Sequence, residues 1–125
     1  MNAIFARKMY EQTKTRSLSN ESQNILAIKI CLEQLISSMR DLSCCETIEA
    51  KEENVQVALS RIYILQKCLD FEKGGELAAN LFRVYENARR VIIGFSFAKN
   101  DQIDLENSIM HISMILEGWS TVFDY

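Results

Sequence analysis

His111 is the only histidine in the 125-residue chain, and that alone narrows the chemistry available to it. One imidazole cannot build a His-rich metal site, and no Asp or Cys stands at a chelating offset beside it. It reads as a partly buried or surface residue rather than a catalytic base. Gly74-Gly75 lacks the further glycines of a dinucleotide loop and the Lys-Ser/Thr of a phosphate loop. Glu52-Glu53 and Asp101/Asp104 stand at solvated or capping positions, which gives acid–base work no setting. There is no Gly-x-Ser-x-Gly elbow and no Cys–His pairing. No catalytic residue, metal ligand or cofactor is expected.

The remaining reactive side chains are Cys31, Cys44, Cys45 and Cys68. The N-terminus has no long apolar core and no small-residue cleavage site, so a secretory signal is not expected and the thiols read as reduced. Cys31 and Cys68 fall in apolar helical patterns and are expected to be small core residues. Cys44-Cys45 is an adjacent pair in a polar stretch. Neighbouring cysteines chelate zinc poorly without a spacer, which leaves redox chemistry as their reactive option.

The elements carrying these residues follow from composition. Apolar residues at 48% and charged residues at 25% suit one globular domain, and zero Pro with four Gly disfavours a fold built on many tight turns. A net charge of −3 and a pI of about 5.2 argue against a nucleic-acid partner. The charge is uneven: Arg7, Lys8, Lys14 and Arg16 face only Glu11 within residues 1–18. A basic arm over 1–18 therefore precedes a more acidic body over 19–125, as a solvated tail or folded back onto it. The longest apolar stretch, Val91-Ile92-Ile93-Gly94-Phe95, is far short of the roughly 20 residues that span a bilayer. A soluble, cytoplasmic chain with no membrane insertion is expected.

Four segments repeat apolar residues at helical spacing. Ile25, Ile28, Leu32, Leu35, Met39 and Leu42 mark the first, with Ser19 or Asn20 as cap; Val55, Leu59, Ile62, Leu65 and Leu69 mark the second. The third uses Leu77, Leu81, Val84, Ala88, Ile92 and Phe95. The fourth uses Ile109, Ile112, Leu116, Trp119 and Phe123, with Asp101 as cap. Residues 43–54, polar and acidic, are either a loop or a frayed start to the second helix, and Lys73-Gly74-Gly75 and Lys99-Asn100-Asp101 make the other two breaks. Short connections predict an all-α, antiparallel four-helix bundle with a further short N-terminal segment, helical or extended. Val57, Tyr63, Ile64, Phe82, Tyr85, Val91, Ile93 and Phe97 are apolar outside the main stripes, a surplus that points to an interaction surface, a tighter core or a fifth element.

The run Cys68-Leu69-Asp70-Phe71-Glu72-Lys73-Gly74-Gly75-Glu76-Leu77-Ala78-Ala79-Asn80-Leu81, followed by Tyr85 and Arg90, resembles the signature of the flagellar secretion chaperones of the FliS family. Asn100-Asp101 and Trp119 extend the likeness over about residues 55–120; the first helix departs from the family pattern. The resemblance implies a cytoplasmic chaperone without ATPase activity. Such a chaperone would bind the disordered C-terminal segment of flagellin in an apolar groove, prevent premature polymerisation and present the subunit to the export apparatus. It implies partner-binding roles for Tyr10, Leu69, Leu77, Asn80, Leu81 and Tyr85, with Tyr10 lying over the groove in the free state. Gly74, Gly75 and Trp119 read as structural. The rival readings are a homodimeric helical bundle without a flagellin client and an enzyme using Cys44-Cys45. The expected assembly is a monomer or weak homodimer.

Overall fold

The computed structural model describes residues 23–96 and 101–123. Among them are four helices and no strand: α1 over 23–42, α2 over Ile48–Lys67, α3 over Phe71–Ser96 and α4 over Gln102–Phe123. α2 packs on α3 and α3 on α4, while Trp119 Nε1 of α4 donates to the Ile25 carbonyl of α1 at 3.1 Å. Late in α2, Gln66 bonds Glu86 of α3, whereas Ile48 at the start of α2 shares a pocket with Ser96 at the end of α3. The two helices therefore run antiparallel, and the expected four-helix bundle is the fold.

The 3.6-residue turn brings positions three and four apart onto one face, and those faces meet in a single core. Leu32, Leu35 and Met39, Ile62 and Leu65, Ile92, and Leu105 and Ile112 are the residues most deeply buried there. Burying each such side chain is worth about 1.5–3 kcal/mol. The stripes read from α1 and α2 are largely the buried ones, whereas in α4 the buried residues are Leu105, Ser108 and Ile112, of which the expected stripe held only Ile112, and Phe123 is exposed. Ile28, Leu59, Leu69, Ile109, Leu116 and Trp119 pack against the core from its margin. Asp101 caps α4 as expected: its carboxylate accepts from the Asp104 amide at 3.1 Å.

Of the two readings of 43–54, the start of the second helix is the one found: Thr47 accepts from the Ala50 amide at 3.1 Å and α2 begins at Ile48. The structure corrects three further expectations. The break between α2 and α3 begins at Cys68-Leu69-Asp70, ahead of the glycines. Cys68 is exposed, since it closes α2 where the helix leaves the core; Cys31 is buried, and burial pushes its thiol up, opposed by Arg61 and aided by Cys68. The α3 stripe runs through Ala78, Tyr85, Ala88, Ile92 and Phe95, so Tyr85 replaces Leu77 as a core residue. Tyr10, the arm over 1–18, the Ser19 or Asn20 cap and Phe97 lie outside the described residues.

Candidate functional site

The beginning of α3 shows most clearly how local sequence positions surface residues. Asp70 Oδ1 accepts from the amides of Glu72 and Lys73, both at 3.0 Å, and so opens the helix. Gly74 continues the turn, its amide 2.7 Å from the Asp70 carbonyl; a Cβ there would stand 2.9 Å from the Ala78 Cβ. Gly75 then adopts φ 49°, ψ −122°, a conformation that residues with a side chain rarely adopt, and the helix restarts on a new heading. The kink sets the ring of Phe71 edge-on to that of Phe82, with centroids 6.0 Å apart.

The six residues singled out from sequence divide. Leu69 and Leu81 are half-buried against the core. Tyr85 is only 3% exposed, and its phenol is pushed up to about 12, chiefly by burial and further by Cys68 and Cys31. These three can hold up the wall of a site from beneath. Leu77, by contrast, is 65% exposed. Asn80 is exposed too, and its Oδ1 accepts from Arg83 Nη1 at 2.6 Å, a bond within its own helix rather than across helices. Tyr10 lies outside the described residues. The structure thus brings Leu69, Leu81 and Tyr85 into one cluster and leaves Leu77 and Asn80 on the surface.

That surface has two flanks. Asn80, Asn87 and Gly94 are seven residues apart and lie on one stripe; Asn87 and Gly94 line a pocket with Arg90, Asp101 and Asp104, so this flank faces α4. In it the Asp104 carboxyl is raised above its ordinary value by the charge of Asp101. The other flank, with Phe82, Glu86 and Ile93, faces α2. Arg89 grips one Glu86 oxygen and Gln66 Nε2 donates to the other at 2.9 Å, which together hold the carboxyl below its usual range. Alongside stands Tyr63, 61% exposed, with the Lys67 ammonium 5.7 Å from its ring centre. Phe71 and Phe82, at 52% and 38%, complete an aromatic ridge on this side.

Phe71 was missed in the sequence because the Leu-Asp to Asn-Leu run reads as one block; its signal is an apolar residue directly after a capping Asp. Ile103, Met110 and Met114 were missed as well. They form an exposed apolar stripe on α4, on the side away from its buried stripe. His111 is exposed. Among the described residues no three His, Cys, Asp or Glu are grouped to hold a metal ion, and no helix is long and apolar enough to cross a membrane.

The family model described as Flagellar protein FliS matches residues 2–124, nearly the whole chain. No curated protein and no solved structure matches it.

Proposed function

The chain belongs to the FliS family of flagellar proteins, and from that premise we propose that it is the export chaperone of a flagellin. Family membership supports a flagellar chaperone role and a flagellar client in general. The finer reading is that this chain holds the disordered C-terminal segment of flagellin in the cytoplasm, blocks its polymerisation and delivers it to the export apparatus without ATPase chemistry.

The observation that carries this reading is the placement of Leu77: an apolar side chain, two-thirds exposed, on a helix whose Tyr85 is buried in the core and whose Leu81 packs against it. A disordered client that folds into an amphipathic helix can cover Leu77 with its own apolar face and use the Asn80 amide as a donor and acceptor toward its backbone. Leu69, Leu81 and Tyr85 keep that wall rigid. Each client anchor buried contributes about 1.5–3 kcal/mol, against an ordering cost of roughly 2–5 kcal/mol, so several anchors are required. Phe71, Phe82 and Tyr63 are exposed on the flank facing α2 and are not among those anchors in this reading. In this reading residues 1–18 form a separate arm, with Tyr10 covering the groove until the client arrives, and 19–125 form the bundle.

The rival homodimer would use the stripe Ile103, Met110 and Met114. α4 contains Asp104, Glu106 and Glu117 and neither Lys nor Arg, so two copies meeting there would set like charges face to face. The chaperone reading is therefore preferred, with a monomer or weak dimer in solution.

The test is isothermal titration calorimetry with a peptide covering the C-terminal segment of the flagellin from the same organism. Saturable binding near one to one with a negative heat-capacity change is expected. A folded protein that binds nothing at micromolar concentrations would remove flagellin as the client.

A further inference from the structure

Cys44 and Cys45 stand in the turn between α1 and α2, outside both helices and outside the proposed client surface. Both thiols reach the Asp41 carbonyl, which is 3.7 Å from Cys44 Sγ and 3.0 Å from Cys45 Sγ, and Cys44 Sγ also lies 3.8 Å from the Arg40 carbonyl. The two sulfurs therefore cannot be farther apart than the two Asp41 distances laid end to end. Their settings differ. Cys44 is exposed, whereas Cys45 is partly covered and accepts a hydrogen bond from Asn54 Nδ2 at 3.2 Å. The Asn54 amide and the Asp41 carbonyl thus fix the Cys45 sulfur in place beside Cys44, whose own sulfur is open to a disulfide in solution.

We propose that Cys44-Cys45 is a thiol–disulfide exchange site, oxidised by small-molecule disulfides to a reversible intramolecular disulfide. The exposed Cys44 thiolate attacks a disulfide RSSR, forming a mixed disulfide and releasing one thiolate RS⁻. Cys45, positioned by Asn54, gives up its proton to solvent, attacks the Cys44 sulfur, closes the Cys44–Cys45 bond and releases the second RS⁻. The two protein thiols lose two electrons and two protons, and one RSSR becomes two RSH. Joining neighbouring cysteines closes a small strained ring, so the product is easily reduced and the modification reverses with the thiol pool. Cys45 loses its thiol contact to Asp41 on oxidation, which loosens the corner where α1 hands over to α2.

The experiment uses the full chain and oxidised glutathione as the probe, followed by alkylation and tryptic mapping. Cleavage after Arg40 and Lys51 yields a peptide holding Cys44 and Cys45 and no other cysteine, while Cys68 supplies an exposed single thiol as internal reference. The expected result is a 41–51 peptide two hydrogens lighter and closed to alkylation, with Cys68 stopping at its glutathione adduct. Cys45→Ser should accumulate the adduct on Cys44, and Asn54→Ala should slow ring closure severalfold while leaving the first attack unchanged. A persistent adduct on Cys44 in the unmodified chain, cross-linking between chains, or free thiols at both positions while Cys68 reacts would each overturn the proposal.

Discussion

α3 has two exposed flanks built from one helix, and they differ in kind. The flank facing α4 carries Leu77, Asn80, Asn87 and Gly94: one exposed apolar side chain, two amides and a position without a side chain. The flank facing α2 carries Phe82, Glu86 and Ile93, flanked by Phe71 and Tyr63 and crossed by the Gln66–Glu86–Arg89 clasp. The first offers a small apolar contact with adaptable hydrogen bonding, suited to an incoming backbone. The second offers aromatic area with a fixed ionic bar across it. The difference teaches that exposure alone does not identify a binding surface, because both flanks expose apolar side chains and only one carries the family's Leu and Asn.

The sharpest way to break the comparison is to remove one apolar group from each flank. Leu77→Ala should weaken flagellin-peptide binding by about tenfold to a hundredfold, the equivalent of one lost anchor of about 1.5–3 kcal/mol. Phe82→Ala should change it far less, both measured by calorimetry with circular dichroism as the check on folding. The opposite order would move the client onto the α2 flank.

Between the flanks lies buried Tyr85. Its folded-state pKa stands above its ordinary value of 10.0, at about 12, so the unfolded chain ionises first as the pH rises. The stability Tyr85 contributes is intact below pH 10 and is lost between about 10 and about 12, by about 2–3 kcal/mol in all. Urea unfolding across that range should show the loss, and Tyr85→Phe should abolish its slope.

Glycines at the two ends of α3 should respond with opposite signs. Gly75 is held at a positive φ, so Gly75→Ala should destabilise the fold by about 1–3 kcal/mol and tilt Phe71 and Leu77 away from their present settings. Gly94 is helical with open space around the position of a Cβ, so Gly94→Ala should stabilise by about 0.5–1 kcal/mol in the same unfolding assay. The smallest effect belongs to the clasp. Glu86, held below its ordinary pKa by Arg89 and Gln66, contributes stability above the carboxylate range and loses it as the pH falls through its folded-state pKa. Glu86→Gln should flatten that acid limb slightly, with no change at neutral pH beyond the loss of one exposed ion pair.

Much of this was legible without coordinates. The stripes of α1 and α2, the Asp101 cap and the family signature could all be read because each depends on residues within a few turns of one another. Two misplacements share one cause. Leu77 sits in the expected third stripe and Cys68 in the apolar pattern of the second helix, and both lie at the junction of α2 and α3, where the bundle ends. Periodicity assigns an angle around a helix axis but not the point at which neighbouring helices run out. It also assumes one continuous axis, and the positive φ at Gly75 makes α3 two axes.

The chain by itself therefore determined that it folds as helices, where two of their four faces turn inward, and which family it resembles, since these rest on short-range backbone geometry and hydrophobic spacing. Only the tertiary structure decided that Tyr85 goes in and Leu77 stays out, that Cys68 is exposed and that Cys44 and Cys45 share one carbonyl. Burial is a property of what stands opposite a side chain, and what stands opposite comes from another part of the sequence.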